Sequence, residues 1–137
     1  MAMNFKQVSQ SKGLVESDLI AARTPLPLVE VMGEELKLNA VVRTHWKKNG
    51  EEGDRPGMIF EEYPENWVKA SGTNVQRNIY AWAEQAGCPK DPTSEECPFT
   101  DFDALNNELK AAGGLRVMFV RAKTSDGNPF NKLVILD

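Results

Sequence analysis

Three cations alternate along one short stretch: Arg43, His45 and Lys47, with Lys37 in the same parity and Lys48 next in the chain. Successive side chains of an extended strand face opposite sides, so these cations would share one face. Such a row could follow a phosphate backbone, each contact adding salt-dependent affinity through released counterions. Arg55, Arg121 and Lys123 supply further charge, and Tyr63, Trp67 and Phe130 are rings that can stack on unpaired bases. The chemistry these residues suggest is reversible binding of a single-stranded polyanion. The same alternation also describes the wet face of an ordinary antiparallel strand, and both readings stand at this point.

Nothing in the chain points to a catalyst. His45 is the only histidine, and no spacing sets a nucleophile beside it. The acidic pairs Glu34/Glu35, Glu51/Glu52, Glu61/Glu62 and Glu95/Glu96 are sequence neighbours, so on a strand their carboxylates point apart and serve solvation. No glycine-rich phosphate loop is present. A zinc site needs about four ligands, and Cys88, Cys97 and His45 fall short. The chain is therefore read as a binder without metal or cofactor, not an enzyme. Each cysteine precedes a proline, and two free thiols are expected, with a local Cys88–Cys97 disulfide as the oxidised alternative.

At 137 residues the chain suits one domain able to bury a core without staples. A net charge of -4 excludes nucleic-acid binding through bulk positive charge and leaves only a local basic groove with aromatics. No apolar run reaches the roughly 18 to 20 residues of a membrane span. The opening MAMNFKQVSQSKG lacks the apolar centre of a signal peptide, so the expected location is the cytoplasm.

The elements that must position these residues follow from periodicity and punctuation. Residues 1–27 read as an N-terminal arm, with Leu14, Val15, Leu19 and Ile20 at the spacing of a short helix that Pro25 and Pro27 stop. That arm could serve as a partner-binding or self-associating extension. Leu28–Met32 is a strand candidate. Leu36–Lys47 follows as a long strand that sends Leu36, Leu38, Ala40, Val42, Thr44 and Trp46 to its core face. Trp46 is accordingly expected in the core. Asn49–Gly57, with three glycines and a proline, reads as an exposed loop, and Met58–Tyr63 as the third strand. Val75–Ala86 has the spacing of a helix with one buried face, Trp82 on that stripe, and Gly87 at its end. A second helix over about Phe102–Ala112 buries Phe102, Leu105 and Leu109. Leu115–Lys123 and Phe130–Leu136 form a hairpin across the turn Ser125-Asp126-Gly127-Asn128.

A mostly β chain with two helices, ordered β-β-β-α-β-β, has the order of an OB-like five-stranded barrel with its helical insert between strands three and four, an order that other five-stranded α+β folds share. Residues 28–137 would form that domain. The stretches LKLNAVVRTHWK, MIFEEYPENW, NIYAWAEQAG and VMFVRAKTSDGNPFNKLVIL, with the Gly-rich loop and the second helix before Gly113-Gly114, carry a further likeness. In layout this region resembles the single-stranded-DNA-binding-like proteins of tailed phages. The resemblance implies ssDNA binding in phage DNA replication or recombination, in the host cytoplasm, with host or phage replication proteins as further partners. It departs in one respect: many bacterial single-strand binders end in an acidic recruiting tail, whereas this chain closes on an apolar strand, LVILD. The alternative from a different class is a protein-interaction module, a phage-encoded inhibitor of a host system or a subunit of a larger assembly, without nucleic-acid affinity.

Overall fold

The computed structural model describes residues 23–94 and 96–137. The helix expected around Leu14–Ile20 lies outside them. In chain order the elements are β1 (Thr24–Leu26), a 3-10 helix (Leu28–Val31), β2 (Leu36–Lys48), β3 (Glu51–Phe60), β4 (Asn66–Lys69), α1 (Thr73–Ala86), α2 (Asp103–Ala111), β5 (Leu115–Lys123) and β6 (Pro129–Ile135). The strands form one sheet in the order β1-β4-β3-β2-β5-β6, antiparallel except where β1 runs beside β4. It curls into a half-barrel. The mostly β, two-helix class is as expected, but the sheet has six strands rather than five.

Three local corrections explain the difference. Leu28–Met32 is not a strand: Leu28 and Val31 are both buried, and residues three apart eclipse in a 3-10 turn but face opposite ways in a strand. The expected loop over Asn49–Gly57 is a two-residue turn followed by strand. Asn49 (φ 51) and Gly50 (φ 82) both adopt positive φ, which matches a tight turn to the twist of its strands and sets Lys48 opposite Glu51. The charged stretch beyond continues as β3 because opposite charges face each other across the ribbon, Lys47 opposite Glu52 and His45 opposite Asp54. Finally, β3 stops at Phe60, and the turn through Tyr63 starts β4, whose partner β1 draws residues 24–26 out of the expected arm and into the sheet.

The main core lies between the sheet and both helices. Leu36, Leu38, Val41, Met58, Phe60, Val117 and Phe119 from the sheet meet Val75, Ile79, Phe102, Leu105 and Leu109 from the helical segment. Phe60 and Phe119 pack edge to face with centroids 5.9 Å apart. Trp82 packs only at the margin of this core, half-buried. The helices also close strand edges. β5 leaves β2 after Leu38, and the Asn106 amide then supplies the missing partner, its Oδ1 accepting from Val41 N at 2.7 Å and its Nδ2 donating to Val41 O at 2.9 Å. On β6, Asn74 Oδ1 accepts from Leu133 N at 2.9 Å.

Candidate nucleic-acid interface

The pairing of β2 with β3 slips by one residue between Leu38 and Ala40. A bulge of this kind reverses the parity of everything beyond it. Leu36 and Leu38 face the main core, and after the slip so does Val41, while Ala40 and Val42 turn to the other side and form a second cluster with Ile59 and Trp67. Arg43 and His45 therefore continue the row of Val41, and Thr44 and Trp46 continue the row of Val42. The basic face and the aromatic face of the ribbon exchange the roles that strict alternation assigns them.

Arg43 is mostly covered, with 18 % of its side chain exposed. Its Nε donates to Asp54 Oδ2 at 2.8 Å, and one terminal nitrogen donates to Asp91 Oδ2 at 2.9 Å and to Phe99 O at 2.8 Å. The second terminal nitrogen lies 2.6 Å from Asp54 Oδ2. Arg43 thus ties the segment between the helices to the ribbon. Burial lowers the pKa of its guanidinium, but the hydrogen bonds to Asp54 and Asp91 outweigh burial and hold it above the usual value. His45 takes Asp54 Oδ1 at 2.7 Å on Nδ1 and Glu52 Oε1 at 3.1 Å on Nε2. The Asp54 hydrogen bond raises the imidazole pKa against a smaller opposing effect of burial. For Asp54, burial pushes upward, yet His45 and Arg43 together hold the carboxyl below its usual range. A phosphate arriving on this face would have to displace carboxylates from both cations.

The opposite face is different. Thr44, Trp46, Arg55, Pro56, Trp67 and Lys69 line a concavity of about 180 Å³, which the start of α1 closes through Gly72 and Gln76. Trp67 crosses the ribbon directly over Gly57, where a Cβ would stand 2.9 Å from its ring and from Thr44 Cγ2, so glycine is needed for the approach. The Arg55 guanidinium lies 4.7 Å from the centroid of the Trp46 ring. Trp46 and Trp67 are half-buried, and the Arg55 side chain is 54 % exposed. Lys69 is exposed and makes no ion pair among the described residues.

Of the residues the sequence nominates, only Arg55 and Trp67 meet in this groove. Trp46, expected in the core, joins them, as does Lys69, which stands outside the alternating cation row. The signals that could have found them are the run Ala40-Val41-Val42, which breaks strict alternation, and Gly53 and Gly57 inside a strand. Lys47 and Lys48 lie at the ribbon tip opposite Glu52 and Glu51. Tyr63 packs against the main core, and its hydroxyl donates to Glu34 Oε1 at 2.7 Å. Arg121 donates to Asn131 Oδ1 at 2.7 Å and lines a separate cavity. Lys123 and Phe130 lie near the β5–β6 turn, Lys123 exposed and Phe130 half-buried opposite Ala122.

Cys88 and Cys97 are both buried in the main core. Among the described residues no group of three or more His, Cys, Asp or Glu side chains could hold a metal ion, and no helix is long and apolar enough to cross a membrane. Comparison with protein-family models, curated proteins and solved structures finds no match to this chain.

Proposed function

We propose that this protein binds single-stranded nucleic acid, with ssDNA as the expected ligand, without catalysing a reaction. The observation that carries the reading is the groove itself: two half-buried tryptophans, Arg55 and Lys69 border one concave strip beside the start of α1. Indole faces stack on any base, for roughly 1–3 kcal/mol each, while cations along the rim neutralise phosphates. The curled sheet offers a strand-borne surface of the kind an OB-like barrel uses. A role in phage DNA replication or recombination rests on the sequence resemblance.

The test is a titration of labelled oligo-dT across salt concentrations, followed by tryptophan fluorescence. Stacking should quench the emission, and two phosphate contacts should give a log–log salt slope of about -1.4. Absence of binding at low salt would overturn the proposal.

One observation favours the protein-interaction reading. Away from the groove, a mostly apolar cavity of about 750 Å³ is bordered by Leu28, Val29, Met32, Phe119 and Val120, and Val29 is 71 % exposed. On that reading a partner protein covers this patch. Val29→Glu should then abolish binding to the purified partner while leaving oligonucleotide affinity unchanged.

A further inference from the structure

Within the groove, one contact has the wrong sign for a nucleic-acid site. Glu96, from the segment between α1 and α2, accepts a hydrogen bond from Trp46 Nε1 at 3.0 Å on one carboxylate oxygen, and the other lies 3.5 Å from an Arg55 terminal nitrogen. Gly53 provides the floor, since a Cβ there would overlap Glu96 Oε1. The carboxylate therefore rests in a seat made by an indole N–H, a guanidinium and bare backbone.

The main chain at this point is held by other means. The Tyr80 hydroxyl donates to the Glu96 carbonyl at 2.5 Å, Cys97 N donates to Ser94 Oγ at 3.2 Å, and Arg43 grips Asp91 and Phe99 O on either side. The Glu96 side chain is 41 % exposed, so it can rotate into solvent without unfolding its segment. An anionic oxygen facing an indole N–H and a guanidinium is also what a phosphodiester would present.

We propose that Glu96 occupies a phosphate subsite of the groove, and that a backbone phosphate of a bound single strand displaces its carboxylate. This rests on the groove being a nucleic-acid site. Glu96 then acts as a built-in competitor that restrains affinity, and Arg55 and Trp46 Nε1 are the phosphate's ligands once it leaves.

Glu96→Gln keeps an acceptor for the indole and removes the charge, and Glu96→Ala empties the seat. Both should tighten oligo-dT binding roughly three- to tenfold at low salt, the net scale of one ordinary hydrogen bond, as suits a half-exposed pair. Glu84→Gln, which removes an exposed acid on α1 beside Lys90, should change affinity by less than about twofold. In an Arg55→Ala background the gain from Glu96→Gln should vanish, because the subsite is gone. If the wild-type protein binds and both Glu96 variants, folded by circular dichroism, bind equally or more weakly, the competitor role is overturned and the groove stands. If neither the wild-type protein nor Glu96→Gln binds, the nucleic-acid reading fails and takes the subsite with it.

Discussion

On one face of the β2–β3 ribbon, Arg43 and His45 each meet two carboxylates within 3.1 Å. On the other, Arg55 shares a single carboxylate at 3.5 Å, and Lys69 makes no ion pair among the described residues. Both faces carry cations on extended backbone, yet the first holds the protein together and the second remains open to a ligand. The difference comes from what lies above each. The segment between the helices folds over Arg43 and brings Asp91 and the Phe99 carbonyl, so that cation exchanges water for fixed acceptors. Over Arg55 lie a tryptophan ring and one glutamate side chain, which leave about half of the arginine side chain in water. Cations on a strand announce a binding surface only when the carboxylates around them are already accounted for.

The comparison can be broken most forcefully at Arg43. Arg43→Leu leaves Asp54 with His45 as its remaining partner and releases the segment that Arg43 grips. A fully buried pair broken this way costs about 3–5 kcal/mol and an exposed one under about 1, so this partly covered site should lose about 2 kcal/mol. Urea unfolding measures the loss, and oligonucleotide affinity of the folded fraction should hardly change. Trp67→Ala reverses the pattern. It removes a stacking surface worth roughly 1–3 kcal/mol, a five- to 150-fold rise in Kd by fluorescence anisotropy. Stability should fall less, because Trp67 borders only the small cluster of Ala40, Val42 and Ile59. Lys69→Gln should weaken binding more modestly and flatten the salt slope by about 0.7, one phosphate contact on a single strand.

The smallest effect is a pH dependence confined to the closed face. The pKa of His45 is raised by Asp54, so its contribution to stability is fully present below the ordinary value of about 6.5 and is lost as pH rises through the raised one. Asp54 works in the other direction: its pKa is lowered, so its contribution is present above the ordinary value of about 3.9 and is lost as pH falls through the lowered one. His45→Gln should lower the melting temperature relative to wild type near pH 6, with the gap closing toward pH 9. A constant gap across that range would separate His45 from the Asp54 network.

Local signals made much of this fold legible. Val75, Ile79 and Ala83 at helical spacing give α1, Phe102, Leu105 and Leu109 give the buried face at α2, and the β-rich run Leu115–Lys123 gives β5. What escaped was set by tertiary contact. The bulge beyond Leu38 reverses every later side chain of β2 through one extra residue, and no single residue type announces it. The stretch after Asn49-Gly50 reads as loop because its charges suit solvent, yet Glu51, Glu52 and Asp54 face Lys48, Lys47 and His45 across the ribbon only once the turn sets the register. The site suffered from the same slip. Arg43 and His45 were legible as a shared face, and that remains correct, but Asp91 and Phe99 reach Arg43 from nearly fifty residues or more away in sequence. Trp46 was assigned to the core on a parity that held only up to Leu38.

On the proposed function, binding belongs to the groove face of the ribbon and not to the cation row that alternation points to. That placement is tested most directly by removing two charges from each face and titrating labelled oligo-dT in parallel. Arg55→Gln with Lys69→Gln should weaken binding by more than roughly tenfold and reduce the salt slope by about 1.4, while His45→Gln with Lys47→Gln should leave affinity within about threefold of wild type. A large loss from the His45 and Lys47 pair, with the Arg55 and Lys69 pair unaffected, would contradict the account.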